Sequence, residues 1–206
     1  MAILEELQAR ITRLEDIKQI EKLQRIYGYY LDYNEYQKVV DLFSDNADSV
    51  EIADYGVYKG KQGVKRFYLE LWGSKTPRVG ELSIGMIMQG VVDVDSNGKS
   101  AKGRWYCMMI EAKPTFSLHE GELRQLWGNG IYENEYVKEN GKWLFSKLHW
   151  NNTFCSPFED GWINTPLMGL MNYHPTIKPD APPTAFHPYP SGYHVPYHYK
   201  HPITGE

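Results

Sequence analysis

Apolar residues in the first third of the chain recur three or four apart: Leu7, Ile11, Leu14, Ile17, Ile20, Leu23, Tyr27, Tyr30 and Leu31. That spacing draws one apolar stripe along a helix, the face that packs on a core. Thr12 followed by Glu15 has the form of a capping box, which predicts two helices with a joint near Thr12. Asn34 offers a cap to a further helix whose buried face carries Tyr36, Val39, Val40 and Phe43. A strand at 49–52, a turn around Gly56 and a third helix over 61–72, packing Val64, Phe67, Tyr68 and Leu71, follow. From Glu81 the period becomes that of strands. Segments 82–94 and 100–110 flank the turn sequence Asp95-Ser96-Asn97-Gly98, and 123–138 and 142–154 flank Glu139-Asn140-Gly141. Asn-Gly supplies the positive φ that a tight hairpin turn demands. Helices first and long hairpins afterwards predict an α+β fold, a curved sheet with helices on one face.

The pattern breaks after Phe154. Residues 155–206 hold 10 of the 12 prolines and 5 of the 7 histidines, and show no period. Proline favours extended chain without ladder hydrogen bonds. Yet Phe158, Trp162, Phe186, Tyr189, Tyr193, Tyr197 and Tyr199 are too many aromatics for a disordered tail. The chain divides into one domain over 1–154 and an ordered Pro/aromatic-rich arm over 155–206, which wraps over the domain or over a neighbouring subunit. A homo-oligomer, dimer or trimer, is expected.

Composition narrows the function classes. With 206 residues a single core suffices, and a net charge of -4 gives no general attraction to nucleic acid or to anionic membrane. No apolar run is long enough to span a bilayer, and the N-terminus lacks a basic region before an apolar one, so a cytoplasmic location is expected. Cys107 and Cys155 read as two buried thiols. The 16 tyrosines and 6 tryptophans suit a cavity that presents both apolar rings and polar tips.

The order of elements resembles the nuclear-transport-factor-like superfamily in its SnoaL-like (polyketide cyclase/dehydratase) branch. The matching residues are Ile17-Lys18-Gln19-Ile20-Glu21-Lys22-Leu23 running into Tyr27 and Tyr30-Leu31-Asp32, then Leu42-Phe43-Ser44-Asp45-Asn46-Ala47. Gly60-Lys61-Gln62-Gly63-Val64 matches a strand-to-helix turn, and 132–143 the last hairpin. The resemblance covers about residues 15 to 154. It implies a cone-shaped, curved antiparallel sheet with the N-terminal helices on its concave face. It also implies lyase or dehydratase chemistry by residues that project into the cone. Tyr27 and Asp32 match the Tyr and the Asp five residues later that are frequent in the branch. The His that commonly serves as base on the third strand falls near Gly85, a departure from the dehydratase pattern. The stretches 127–133, 148–150 and 158–162 are similar to a subgroup that includes γ-formaldehyde lyases of lignin-derived aromatic dimers.

Beside these stand residues chosen for their chemistry. His149, one of two histidines outside the arm, is a proton shuttle or a structural imidazole. Arg104 stabilises a phenolate if it faces inward and is a solvated residue if it faces outward. Tyr30, Trp105, Trp127, Asn129 and Trp150 would line a substrate, with at least one tryptophan serving as core packing. His194, His198 and His201 have ligand-like spacing, but Pro196 and Pro202 interrupt any helix that would align them, so no metal is expected. Gly-rich phosphate loops and a GxSxG elbow are absent, and no cofactor is expected. The resulting expectation is a cofactor-independent lyase acting by acid–base catalysis on a hydroxylated aromatic small molecule. Tyr27 would be the acid, with His149 and Asp32 a base and its partner. Release of formaldehyde from a diaryl compound to give a stilbene is its sharpest form. The alternatives are a non-catalytic binding or assembly protein of the same fold, and a dehydratase or isomerase on a polycyclic substrate.

Overall fold

The structure, a computed structural model, describes residues 2–73, 79–113, 124–166 and 176–206. The first helix, α1 (Ala2–Asp32), is continuous. No joint occurs at Thr12, since neither proline nor glycine interrupts this turn and Thr12 stays helical. The apolar stripe divides in function. Ile20, Leu23, Tyr27 and Gly28 are buried, whereas Ile3, Leu4, Leu7, Ile11 and Leu14 project into solvent on the outlying half. Asn34 does not open the next helix; it ends the first. Its φ of 56° is left-handed, and the amides of Asn34 and Glu35 donate to the carbonyls of Leu31 and Tyr30, the paired bonds of a Schellman motif. α2 (Tyr36–Asp41) then follows Glu35 with no side-chain cap.

The strands are β1 (Ser49–Ile52), β2 (Val57–Lys59), β3 (Leu82–Val94), β4 (Ser100–Lys113), β5 (Arg124–Glu139) and β6 (Lys142–Pro157). Leu123, where a strand was expected to begin, lies outside the described residues. α3 (Gly60–Lys65) runs straight into a π-helical turn (Arg66–Leu71), whose Tyr68 reaches Tyr27 of α1, while Trp72 just beyond it packs on Tyr36 and Tyr68. A short α4 (Gly161–Asn164) follows β6. The six strands form one curved, unclosed sheet in the order β2-β1-β6-β5-β4-β3, antiparallel except for the β1–β6 pair. The β5–β6 turn has positive φ at both Asn140 and Gly141, as the Asn-Gly signal requires. Register shifts in β3–β4 and at two places in β5–β6 mark bulges, which bend and twist strands and so shape the concavity.

Alternation along the strands separates two faces. On the concave face, Ala101, Gly103, Trp105 and Cys107 of β4 and Tyr132, Asn134 and Tyr136 of β5 are buried against α1. Buried polar bonds pin the helix there. The Asn134 amide and the Tyr136 hydroxyl both donate to Oε1 of Gln24, at 2.9 and 2.8 Å, and the Trp143 indole donates to Asp16. Gly90 and Gly130 make room for indoles: a Cβ there would sit 2.1 Å from the Trp105 ring and 2.4 Å from that of Trp150.

The arm's first residues complete β6 and form α4, and its residues 176–206 lie along the outer face of the same chain. The carbonyl of Ala181 accepts from Val57 and caps the β2 edge, Asp180 takes the guanidinium of Arg66, and Thr184 donates to Glu51. Further on, Tyr189 donates to Thr153, and Arg104 donates to the carbonyls of Val195 and Pro196. No described helix is long and apolar enough to cross a membrane.

Candidate functional site

The C-terminal end of α1 meets β3 inside the cone. The backbone N–H of Gly85 donates to Oδ1 of Asp32 at 2.8 Å. A Cβ on Gly85 would lie 3.6 Å from both Asp32 Oδ1 and the Cys107 sulfur, so the carboxylate and the thiol flank one small space. Burial raises the pKa of Asp32 and the Gly85 amide opposes it. The negative end of α1, with no basic residue in its last turn, disfavours the carboxylate as well. Burial, reinforced by the charge of Asp32, pushes the Cys107 thiol up to about 12, so it is neutral.

Tyrosines surround this pair. Tyr27 is fully buried, its hydroxyl 3.0 Å from that of Tyr68 and its ring edge-on to Tyr132 at 5.8 Å. Burial raises the pKa of Tyr27, Tyr68 and Tyr132 well above the usual phenol value, and the neighbouring phenol and thiol groups add to it. Tyr27 and Tyr132 both feel Cys107, and Tyr132 also feels Asp32. Nearer solvent, Tyr36 stacks on Tyr68 and tilts against Trp72, and Tyr55 meets Trp72 edge-on. Burial and the charge of Glu111 push the Tyr36 phenol up to about 12, and Ser83 donates to Glu111 at 3.4 Å. The arrangement joins one carboxyl whose proton affinity is raised, several neutral phenols and flat aromatic walls.

Of the residues expected from sequence, Tyr27, Asp32, Trp105 and Trp150 face the cone. Trp105 is deep core, its indole donating to the Tyr136 hydroxyl, while Trp150 packs on Tyr132 at 4.6 Å. Tyr30 sits at the α1–α2 joint with the Lys38 ammonium over its ring. The others lie on the opposite side of the sheet. Because Trp150 points into the cone, its neighbour His149 points out. His149 lies beneath the arm, with Nε2 3.4 Å from Oε1 of Glu51. Burial lowers its pKa, and Glu51 partly offsets that. It cannot meet Tyr27 or Asp32 without crossing the sheet.

Arg104 also faces out, yet it is not solvated. It is bound to Glu133 at 2.5 Å and covered by Tyr197 at 4.7 Å. Trp127 belongs to an outer aromatic cluster with Phe154, Phe158 and Trp162, and the Asn129 amide donates to the carbonyl of Cys107. His198 binds Glu133 and His201 accepts amides of its own turn, so these two imidazoles do not share a ligand site. Among the described residues no group of three or more metal-ligating side chains forms.

Tyr132, Tyr36, Tyr55, Cys107 and Glu111 were not singled out as site residues by sequence. The register across three strands, Trp105 opposite Tyr132 and Tyr132 opposite Trp150, is the signal that aligns Tyr132 with two predicted tryptophans. A polar groove of about 370 Å³, lined by Asp41, Asp45, Lys61, Lys65 and Glu139, lies elsewhere. There the Lys61 ammonium is tied to the carbonyls of Val40 and Phe43, so it reads as structural.

No curated protein matches the chain. Among solved structures it is similar to a candidate scytalone dehydratase from Novosphingobium aromaticivorans DSM 12444, at 18% identity and a TM-score of 0.58 over 79% of this chain and 99% of that one. It is also similar to a hexachlorocyclohexane dehydrochlorinase, LinA type 2, at 19% identity and 0.57 over 82% and 99%. Aln2 from a Streptomyces species matches at 11% and 0.53 over 67% and 91%. At these identities the likeness speaks to the fold. Residues 12–149 match the SnoaL-like domain as a family, from within α1 to the middle of β6, and the chain belongs to that family.

Proposed function

We propose that this protein is a cofactor-independent lyase that carries out acid–base elimination on a hydroxylated aromatic small molecule held in the cone. The observation that carries the reading is the Asp32 carboxyl, fixed by the Gly85 amide beside Cys107 in a tyrosine-rich enclosure. Asp32 takes the substrate proton; a carboxylate with a raised pKa is a stronger base than one in water. A phenol kept neutral by burial can return a proton to a departing oxygen, and we assign this role to Tyr132, which feels Asp32 and packs edge-on to Tyr27. Two relatives by fold bear names of elimination enzymes, a dehydratase and a dehydrochlorinase.

In the simple case Asp32 removes a proton from carbon, the C–H electrons form a C=C bond, and the neighbouring hydroxyl leaves as water with a proton from Tyr132. In the formaldehyde case Asp32 takes the O–H proton of a terminal CH2OH. The C–C bond then breaks to free formaldehyde, its electrons form the stilbene double bond, and the benzylic hydroxyl again leaves as water. This finer form rests on the sequence resemblance.

Incubation with a panel of hydroxylated monoaryl and diaryl propanols, read by mass spectrometry and a formaldehyde assay, tests the proposal. The expected product is lighter by water, or by water and formaldehyde with a stilbene chromophore. The absence of an imidazole at Gly85 favours a second reading, a binding protein of the same fold. Tight binding of panel members with none of them converted would support that reading over catalysis.

A further inference from the structure

Residues directly opposite each other on neighbouring strands share a face, so the cone wall is built in rows. On its inner side Ile87 pairs with Cys107, Gly85 with Met109 and Ser83 with Glu111. The first row packs under α1, where a Cβ on Gly28 would meet Ile87 at 3.2 Å. The second row holds Asp32 through the Gly85 amide. α1 ends at Asp32, so the third row lies past the helix. Ser83 donates to Glu111 across that row at 3.4 Å, and Leu126 of β5, opposite Glu111, is buried. No bulge intervenes between Cys107 and Glu111, so the carboxylate keeps the inward direction of Cys107 and Met109.

The second and third rows stand about 7 Å apart along the strand, two residues of extended chain. Between the two carboxyl groups Met109 offers a thioether, a soft surface for an aromatic ring. Flat walls face Glu111 as well. Burial raises the pKa of the Tyr36 and Tyr55 phenols, and the Glu111 charge adds to both. These two rings pack on Trp72, at 5.9 and 6.2 Å. A carboxyl group, a thioether between flat walls and a second carboxyl group suit one aromatic ring with a polar group at each end. An ionised carboxylate accepts hydrogen bonds and donates none, so the group at the Glu111 end has to bring its own proton. A phenol does so, a methyl ether cannot, and a carboxylate is repelled.

We propose that Glu111 selects the substrate by accepting a hydrogen bond from a free phenolic hydroxyl on the ring whose side chain meets Asp32. The substrate class narrows to free phenols, against their methyl ethers and against aromatic carboxylates. The proposal rests on the reading of the cone as the substrate site, and it concerns recognition and not the proton transfer.

Para-propylphenol, para-propylanisole and para-propylbenzoate differ only at one end of the ring and carry no side-chain hydroxyl to eliminate. Burial of apolar surface alone favours the ether over the phenol. Titration calorimetry on the wild-type full chain should nevertheless show the phenol binding about 10- to 100-fold more tightly than the ether, the range for a hydrogen bond to a charged group. The benzoate should bind weakest. Glu111→Met keeps the length of the side chain without its acceptor, so the ether should bind this variant at least as tightly as the phenol, with unchanged circular dichroism. Wild-type protein that binds the ether as tightly as the phenol, or binds none of the three, would overturn the proposal whether or not the variant folds. So would a Glu111→Met variant that keeps the phenol preference. Wild-type protein that shows the preference but converts no hydroxylated propanol would overturn the lyase reading alone.

Discussion

The Gly85 amide donates to Asp32 Oδ1 at 2.8 Å, so the last turn of α1 is bonded to β3 near the position where the resemblance leads one to expect a basic histidine. Glycine leaves that space open, and Asp32 and Cys107 reach its rim. In the proposed reaction, the proton chemistry that an imidazole would perform is assigned to the carboxyl.

Activity should follow the ionisation of Asp32. Its pKa lies above the ordinary carboxyl value, so the rate should rise with pH through a midpoint higher than about 4. A folded-state pKa above the unfolded one adds stability only at pH below the unfolded value, and that stability is lost as pH rises through the folded pKa. Asp32→Asn keeps the Gly85 bond and removes the charge, so it should raise the melting temperature at neutral pH, as calorimetry can check. A lower melting temperature would mean that the charged carboxylate is stabilised in place.

Gly85→His should fold, because its Cβ meets no atom closer than 3.6 Å. The new imidazole would lie beside the Asp32 carboxyl, which favours its protonated form. An NMR titration should give a midpoint above about 6.5. A midpoint at or below that value would show the side chain turned away from Asp32.

Gly130→Ala should destabilise the protein by about 1–3 kcal/mol, the usual cost of overpacking. The added methyl would meet the Trp150 ring at 2.4 Å and the Asn151 carbonyl at 2.5 Å. Urea unfolding measures this, and a midpoint equal to wild type would mean that Trp150 has room to move.

Strand positions were legible in the sequence because the turn signals are strong: β1 and β3 occupy the predicted 49–52 and 82–94. β2 was not foreseen, being three residues long and paired outside by the arm. The side of the sheet taken by His149 was not legible either. Counting back from the Asn140-Gly141 turn sets Tyr132 opposite His149, on the cone side. The bulge between Glu135 and Tyr136 inserts one residue and sets Tyr132 opposite Trp150 instead, which turns His149 outward. Polarity gave no correction, since α1 buries the inner face there and the arm covers Arg104 and His149 on the outer one. The α1 stripe overstated the buried face because its first half extends beyond the sheet.

His149 should report on the arm. Its pKa is lowered by burial, so its stabilising neutral form is complete above about 6.5 and is lost as pH falls from there through the folded value. Arm amides such as Thr184, which donates to Glu51, should exchange hydrogen faster as pH is lowered below 6.5 (about the free imidazole value), after correction for the intrinsic rate. His149→Gln should remove that dependence. The same acid dependence in the variant would place the sensitive group elsewhere.

The central claim is that Asp32, and not His149, takes the substrate proton. The direct measurement is kcat/KM for Asp32→Asn and His149→Gln, side by side with wild type, on whichever panel compound is turned over. Asp32→Asn should lose about two to four orders of magnitude, the range for a lost general base, while His149→Gln stays within about twofold. The reverse pattern, with His149→Gln inactive and Asp32→Asn near wild type, would contradict the account.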